Sequence, residues 1–272
     1  MSALLKVEDL TLRLTDSGSP LVSGISFSIE AGERLGLIGE SGSGKSLTAM
    51  ATVGLLPPQI EATGSVMLAG EQMIGTPQRV LNRLRGQAAT VVFQEPLTAL
   101  DPLMRLGAQV AEPLERRLRR SGERPAGRDL RNGVIALFEQ VALADPERML
   151  KAYPHEISGG QRQRVAIAMA LACAPQLLIA DEPTTALDVT TQAEILKLLD
   201  GLVRERNMAL LFISHDLPVV AGIVDRVIVL RRGEAVEKGP VHGVLTQPQH
   251  DYTKSLVAAA AAFDTALAGG AE

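Results

Sequence analysis

A glycine-rich loop carries the clearest chemistry in this chain. Residues 39–46 read Gly-Glu-Ser-Gly-Ser-Gly-Lys-Ser and fit the pattern GxxxxGK[ST], between the apolar segment 34–38 and a predicted helix over 46–55. Glycines let successive backbone N–H groups turn toward phosphate oxygens, and the positive end of the following helix strengthens that attraction. Lys45 supplies a mobile charge for the β- and γ-phosphates, and Ser46 supplies an oxygen for Mg²⁺. A chance glycine-rich turn is the alternative, and the strand–loop–helix context argues against it.

Two adjacent acids follow a second apolar segment. Residues 177–180 read Leu-Leu-Ile-Ala, and Asp181 and Glu182 come next. In a doubly wound sheet, a carboxylate at the carboxyl end of such a strand lies beside the phosphate loop. Asp181 is then placed to hold Mg²⁺ through water, and Glu182 to polarise the attacking water. Alone, the pair would be ordinary strand-end acids; together with the loop, it predicts a hydrolytic site.

A third segment has the form of an anion-binding helix start. Ser158, Gly159, Gly160 and Gln161 precede a long helix rich in alanine and isoleucine. Ser158 is a good N-cap, and the two glycines allow a ligand to approach the backbone closely. Helix capping would explain the segment by itself. One chain rarely needs two nucleotide cradles, however, unless they face each other across a dimer.

These residues need a sheet covered by helices to position them. The alternation of polar and apolar residues predicts strands at 7–14 and 25–29. Between about residues 75 and 152, arginines and helical periodicity predict a mainly helical insertion. Short apolar segments alternating with helical ones are typical of a parallel sheet, and they occur at 177–180, 210–213 and 226–230.

Composition narrows the class of protein. The 272 residues carry a net charge of −4 and include one cysteine, Cys173. This excludes a disulfide framework and a multi-cysteine metal site, and Cys173 is expected to be a small buried apolar residue. Apolar runs such as 165–174 and 256–263 are far shorter than the roughly 20 residues of a membrane span. The first nine residues do not resemble a secretory signal, so we expect a soluble cytoplasmic chain.

An arginine cluster over residues 116–131 raises the question of a nucleic-acid or anionic-lipid surface. Glu123 and Asp129 are interspersed among these arginines, and Glu112 and Glu115 precede them, which weakens any field of one sign. Solvated helix faces are the favoured interpretation, and no nucleic-acid partner is expected.

Taken in order along the chain, these motifs resemble those of the ATP-binding subunits of ABC transporters. The resemblance covers nearly the whole chain and rests on residues 39–46, Gln94, 158–161, 181–182, 186–188 and His215. Flanking residues resemble the dipeptide/oligopeptide/nickel importer branch of that family, at Phe93-Gln94-Glu95-Pro96, Pro154-His155-Glu156, 180–188 and His250-Asp251-Tyr252-Thr253. The implied fold class is α/β: a P-loop NTPase of ABC type, with a RecA-like parallel sheet core, an N-terminal antiparallel β subdomain and a helical insertion.

The resemblance implies a single ATP-binding domain over residues 1–272. Its core would comprise about residues 1–74 and 175–250. A helical subdomain, which includes the signature segment 158–161, would comprise about residues 75–174. Residues 251–272 would form a C-terminal tail.

In that family two ATP-binding subunits close head-to-tail, and each ATP lies between the phosphate loop of one and the Ser-Gly-Gly-Gln segment of the other. ATP favours the closed state, and its hydrolysis removes that preference. The residues implied to bind nucleotide are Gly39, Ser41, Gly42, Ser43, Gly44, Lys45, Ser46, Leu47, Ser158, Gly159, Gly160, Gln161 and Asp188. Those implied to hold Mg²⁺ are Ser46, Gln94 and Asp181.

The resemblance also implies the catalytic roles. Glu182 would be the base for the attacking water, and His215 is similar to the switch histidine that contacts the γ-phosphate. Gln94 would touch Mg²⁺ and the water while linking the core to the helical insertion. Asp188 resembles the residue that crosses the dimer interface. By itself, His215 would be an ordinary strand-end histidine.

The implied place is peripheral, on the cytoplasmic face of the cell membrane. The implied partners are two transmembrane permease subunits, a second ATP-binding subunit that is a paralogue, and indirectly an extracytoplasmic substrate-binding protein. A homodimer stays open because both half-sites are complete. The implied cargo is di- or oligopeptides, with nickel or metal-chelate complexes as the alternative. A soluble ABC ATPase of translation or DNA repair and a binding-only regulatory module are the competing classes.

Two features depart from the family pattern. The family usually stacks adenine on an aromatic ring near the end of the first strand, whereas residues 1–26 contain no aromatic residue. An aliphatic face or an arginine stem near residues 12–16 would take that place, and selectivity for ATP over GTP stays open. Longer members of the branch carry a C-terminal cysteine cluster; none follows residue 253 here, so no iron–sulfur cluster is expected.

Overall fold

The structure is a computed structural model that describes residues 3–185 and 187–269, with side chains as far as residue 261. The strands in chain order are β1 (Leu5–Leu14), β2 (Pro20–Ile29), β3 (Arg34–Ile38), β4 (Ile60–Leu68), β5 (Glu71–Gln72), β6 (Ala89–Val92), β7 (Leu177–Asp181), β8 (Ala209–Ser214), β9 (Arg226–Arg231) and β10 (Glu234–Pro240). The helices are α1 (Lys45–Thr52), α2 (Gln78–Leu84), α3 (Leu106–Arg120), α4 (Gly127–Gln140), α5 (Pro146–Met149), α6 (Gly159–Ala172), α7 (Val189–Glu205), α8 (Leu217–Ile223), α9 (Val241–Thr246) and α10 (Asp251–Gly269).

The chain divides into two compact units. The first comprises the residues up to Leu81 together with those from Ala209 onward, and the second comprises Asn82–Met208. Strand β7 and helix α7 therefore cluster with the helical part of the chain, whereas the sequence assigned residues after about 174 to the core. In the segment predicted to be a C-terminal tail, the structure describes the helix α10 from Asp251 to Gly269.

An antiparallel sheet opens the first unit, in the strand order β2-β1-β4-β5. Leu5, Val7, Leu10 and Leu12 of β1 are buried, and the alternation shifts by one residue between Val7 and Leu10, where the Asp9 backbone is left-handed at φ +49°. The sequence analysis missed β4 because its middle reads Glu-Ala-Thr-Gly-Ser, which has weak strand propensity. At Gly64 the backbone is left-handed and a Cβ would lie 2.5 Å from a backbone oxygen of β1, so only glycine fits this irregular pairing.

The predicted buried strands form the rest of the first unit. Strand β3 pairs in parallel with both β8 and β9, and β10 continues antiparallel to β9. Leu35, Leu37 and Ile38 are fully buried, as are all the apolar residues of β8. Such continuous apolar strands are typical of a parallel sheet with helices on its faces.

The second unit combines a parallel strand pair with helices. Strands β6 and β7 pair in parallel, so the predicted helical insertion contains a strand at Ala89–Val92. Helices α3, α4 and α6 pack on one another. Helices α3 and α4 are so close that a Cβ at Gly133 of α4 would lie 2.7 Å from Leu114 Cδ2 of α3. Over the residues that the structure describes, no helix has the length and hydropathy needed to cross a membrane.

Candidate functional site

The phosphate loop depends on glycine at both of its ends. Gly39 has φ +149° and Gly44 has φ +98°, which are backbone conformations that residues other than glycine rarely adopt. A Cβ at Gly39 would lie 2.1 Å from the carbonyl oxygen of Leu230, and one at Gly44 would lie 2.9 Å from Val22 Cγ2. The loop is therefore pressed against β2 and β9 of its own unit and cannot carry side chains at these positions.

Lys45 is folded back across the loop. Its Nζ donates hydrogen bonds to the carbonyl oxygens of Gly39 at 2.8 Å and Glu40 at 2.9 Å, and the residue is 4% exposed. The ammonium group thus lies inside the curve of the loop, where the motif predicts that phosphate oxygens bind. A buried ammonium among backbone carbonyls is the expected arrangement for a phosphate-binding lysine.

The environment of the Ser43 hydroxyl indicates whether the loop could bind a phosphate. Ser43 is buried, and among the described residues its Oγ has no hydrogen-bond partner. Buried hydroxyls without partners are rare because they lose hydrogen bonds to water. A phosphate oxygen in the loop would supply the acceptor, so the residues present fit a bound nucleotide.

The start of α1 leaves its first turn available to a ligand. Gly44 is the N-cap, and no side chain caps this helix start. The first N–H groups of a helix need partners outside the helix, and Ser46 is exposed beside them while Leu47 is half-buried. The binding of an anion and Mg²⁺ at this helix start stays a prediction.

His215 lies at the same sheet edge as the loop. Ile38 of β3 pairs with Ser214 of β8 in parallel register, so Gly39 and His215 leave the sheet side by side. His215 is exposed, and the next residue, Asp216, caps α8 through the Val219 N–H at 3.3 Å. The cap fixes the chain that follows His215 and leaves the imidazole at the carboxyl edge of the sheet.

In the second unit, the parallel pair β6–β7 brings Gln94 to the edge that carries the two acids. Val92 pairs with Ala180, and the residues that follow are exposed Gln94 on one side and Asp181 and Glu182 on the other. Asp181 is buried, whereas Glu182 is half-buried with left-handed backbone at φ +46°. The Thr185 hydroxyl donates to Glu182 Oε2 at 3.0 Å, which orients this carboxylate.

The Ser-Gly-Gly-Gln segment forms a closed capping box. The Gln161 N–H donates to Ser158 Oγ at 3.3 Å, and the Ser158 N–H donates to Gln161 Oε1 at 3.0 Å. A Cβ at Gly160 would lie 2.5 Å from Thr191 Cγ2, whereas the nearest atom to one at Gly159 lies 3.5 Å away. Gly160 therefore serves close packing against α7, and exposed Gly159 stays open to a ligand.

Asp188 caps the helix against which Gly160 packs. The Thr191 N–H donates to Asp188 Oδ1 at 3.0 Å. Hydrogen bonds from the Thr191 backbone and side chain lower the pKa of Asp188, so this exposed carboxylate stays ionised at neutral pH. The structure thus groups Ser158–Gln161 with Asp188, and Gln94 with Asp181 and Glu182. Ala186, in the predicted motif 186–188, lies outside the described residues.

Sequence reasoning missed two supports of the phosphate loop. The Gly233 N–H, in the turn between β9 and β10, donates to the Ser43 carbonyl at 3.1 Å. The Glu40 N–H donates to Tyr252 Oη at 3.0 Å. In the sequence, residues 250–253 contribute only to the resemblance to the importer branch, and nothing there indicates a contact with the phosphate loop.

Comparisons with known proteins agree with this geometry. The chain matches the ABC transporter family over residues 22–185. It is 45% identical over 264 residues to the oligopeptide transport ATP-binding protein OppD of Escherichia coli, covering 96% of this chain and 77% of that protein. It is 48% identical to the peptidoglycan transport ATP-binding protein YejF of Agrobacterium fabrum, covering 94% of this chain and 47% of that protein. The chain thus spans about half the length of the latter relative.

Solved structures confirm the predicted fold class. The ATP-binding cassette MJ0796, a dimer in a post-hydrolysis state bound to ADP and Pi, matches with a TM-score of 0.76 and 29% identity, covering 87% of this chain and 98% of that one. The protein cbiO1 of Clostridium perfringens, part of the ABC transporter complex cbiONQ, matches with a TM-score of 0.74 and 26% identity, covering 91% of this chain and 92% of that one. The chain therefore belongs to the ABC transporter family, as an ATP-binding and ATP-hydrolysing member.

Proposed function

We propose that this chain is the ATPase subunit of a membrane importer for di- or oligopeptides. The observation that carries ATP binding is the phosphate loop, where Lys45 is held inside the curve and the buried Ser43 hydroxyl lacks an acceptor. The peptide cargo is supported by the names of similar proteins, which specify oligopeptide, peptidoglycan and glutathione transport at 42–48% identity. The compounds in all three names contain peptide bonds.

The phosphate loop binds the substrate in this proposal. Backbone N–H groups of the loop, apart from that of Glu40, bind the phosphates together with the Lys45 ammonium, and Ser43 Oγ donates to one of the phosphate oxygens. Ser46, Gln94 and Asp181 would hold Mg²⁺, which supplies charge neutralisation at the γ-phosphate when bound. Among the described residues no cluster of three acidic, histidine or cysteine side chains forms a metal cage. This suits Mg²⁺, which commonly takes one or two carboxylates plus substrate phosphates.

Hydrolysis needs an oriented water and a base. Glu182 accepts a hydrogen bond from Thr185, which orients its carboxylate to act as the base for the attacking water. Gln94 positions the same water through its amide. The His215 imidazole hydrogen-bonds the γ-phosphate and stabilises the charge on its oxygens.

The signature segment acts on a nucleotide held by a second ATP-binding subunit. The capping box fixes the Ser158 and Gln161 side chains, so that this surface is rigid before the partner arrives. Ser158, Gly159, Gly160 and Gln161 then contact the partner's nucleotide, and Asp188 crosses the interface. We propose a paralogous second subunit and two permease subunits, with the chain peripheral on the cytoplasmic face of the membrane and linked indirectly to an extracytoplasmic binding protein.

Co-expression of the chain with its genomic neighbours tests this function. We expect the chain to copurify from membranes with permease subunits, and a peptide-loaded binding protein to stimulate ATP hydrolysis by the reconstituted complex. Copurification with ribosomes or DNA instead of membrane subunits would contradict the proposal. Stimulation by a nickel complex but by no peptide would reject the cargo alone.

A further inference from the structure

The contact between Tyr252 and the phosphate loop gives the motif at residues 250–253 a role. Glu40 and Tyr252 are 212 positions apart in sequence, yet the Glu40 N–H donates to Tyr252 Oη at 3.0 Å. Tyr252 is 5% exposed and lies in the first turn of α10. A long-range hydrogen bond to a buried phenol fixes the loop against a different part of its own unit.

The tyrosine ring is itself held in place. The Arg231 guanidinium carbon lies 4.9 Å from the ring centroid, at a distance typical of a cation–π contact. The Tyr252 N–H donates to His250 Nδ1 at 3.1 Å, and the His250 N–H donates to a carboxylate oxygen of Glu237 at 3.0 Å. Arg231, at the end of β9, and Glu237, within β10, thus anchor the segment that presents the phenol.

The phenol oxygen acts on a peptide group that already has a second anchor. The peptide between Gly39 and Glu40 donates its N–H to Tyr252 and accepts Lys45 Nζ on its carbonyl at 2.8 Å. When Lys45 Nζ turns toward phosphate oxygens, its hydrogen bond to the Gly39 carbonyl weakens. The hydrogen bond from the Glu40 N–H to Tyr252 does not compete with the ligand. Burial raises the pKa of Tyr252, as does the nearby Glu40 carboxylate, so the phenol stays neutral at physiological pH.

We propose that Tyr252 is a positioning residue that orients the Gly39–Glu40 peptide and thereby shapes the phosphate loop for nucleotide. The inference rests on the proposed assignment of residues 39–46 as the phosphate site. Tyr252 does not touch the substrate in this account. Because the loop binds phosphates in both the ground state and the transition state, a distorted loop weakens both equally, which raises KM and leaves kcat unchanged.

The substitution Tyr252→Phe tests this role in the full chain, because it removes only the hydroxyl and keeps the ring beneath Arg231. We expect the dissociation constants of ATP and ADP, measured by calorimetry, to rise about 3- to 10-fold, the effect of one lost hydrogen bond. In the reconstituted complex, KM for ATP should rise by the same factor while kcat stays within about twofold. Ser255→Ala is the matched control, since it removes a hydroxyl that donates to the Tyr252 carbonyl at 2.7 Å without touching the loop.

Lys45→Ala separates failure of this inference from failure of the site. If Lys45→Ala weakens ATP binding about 10- to 100-fold and Tyr252→Phe binds like the unaltered chain, the positioning role is wrong and the phosphate site stands. A fall in kcat with unchanged KM would indicate loss of folded protein and would also overturn the role. If the variant fails to fold, hydrogen exchange in the unaltered chain decides: a slowly exchanging Glu40 amide supports the contact, and fast exchange rejects it.

Discussion

Lys45 and Tyr252 hold opposite ends of one peptide group. The carbonyl of the Gly39–Glu40 peptide accepts Lys45 Nζ at 2.8 Å, and its N–H donates to Tyr252 Oη at 3.0 Å. Lys45 is the first residue of α1, whereas Tyr252 lies in α10. The loop that the sequence marks by glycines is therefore also fixed by two side chains from different helices.

Replacement of Lys45 should weaken nucleotide binding strongly. The ammonium is buried against two loop carbonyls and supplies a positive charge to the phosphates. We expect Lys45→Ala to raise the dissociation constant of ATP about 10- to 100-fold, as for a lost charge-assisted hydrogen bond. Equilibrium titration with ATP measures this. Lys254→Ala is the control, because that exposed lysine pairs with Asp251 outside the loop; equal losses in both variants would contradict a specific role.

The two glycines of the signature segment should respond differently to alanine. A Cβ at Gly160 would lie 2.5 Å from Thr191 Cγ2, so Gly160→Ala should lower the free energy of unfolding by about 1–3 kcal/mol. Gly159 has ordinary contact distances, and Gly159→Ala should leave that free energy within about 1 kcal/mol. Urea denaturation of both variants measures the difference. Equal stabilities would mean that α6 and α7 are not packed as closely as described.

Asp188 should contribute pH-dependent stability. Hydrogen bonds from Thr191 lower its pKa below the usual value of about 3.9. A group with a lowered folded-state pKa stabilises the fold above the unfolded-state pKa and loses this effect as pH falls through the folded-state pKa. The unfolding midpoint of Asp188→Asn should therefore lie below that of the unaltered chain at pH 7, and the difference should shrink as the pH falls through the lowered folded-state pKa of Asp188. A difference that persists unchanged at low pH would exclude the charge as its cause.

The sequence predicts the local parts of the site well. Strand β3, the phosphate loop and the two acids after Ala180 are each encoded within a few residues, so composition and spacing suffice. Helix α1 is one example of a boundary error: it ends at Thr52 rather than at the predicted residue 55, because the chain turns at Gly54 with φ +63°. A glycine with left-handed backbone, as at Gly54, commonly ends a helix.

Contacts between distant segments could not be predicted in this way. The hydrogen bond from Glu40 to Tyr252 and the contact of Gly160 with Thr191 depend on how strands and helices are arranged in three dimensions. Strand β4 was missed for a similar reason, since its irregular pairing at Gly64 is stabilised by β1 rather than by its own propensity. Propensity and periodicity do not encode such partners.

ATP hydrolysis by the Glu182→Gln variant in the reconstituted complex tests the central claim most directly. Glutamine keeps the shape of the side chain and can still accept the Thr185 hydrogen bond, but it cannot act as a base. The account predicts that the variant binds ATP with unaltered affinity, loses at least about 100-fold in turnover and retains ATP in a closed dimer. Glu139→Gln, at an exposed position of α4, should hydrolyse ATP normally. Turnover of Glu182→Gln at the rate of the unaltered complex would contradict the account.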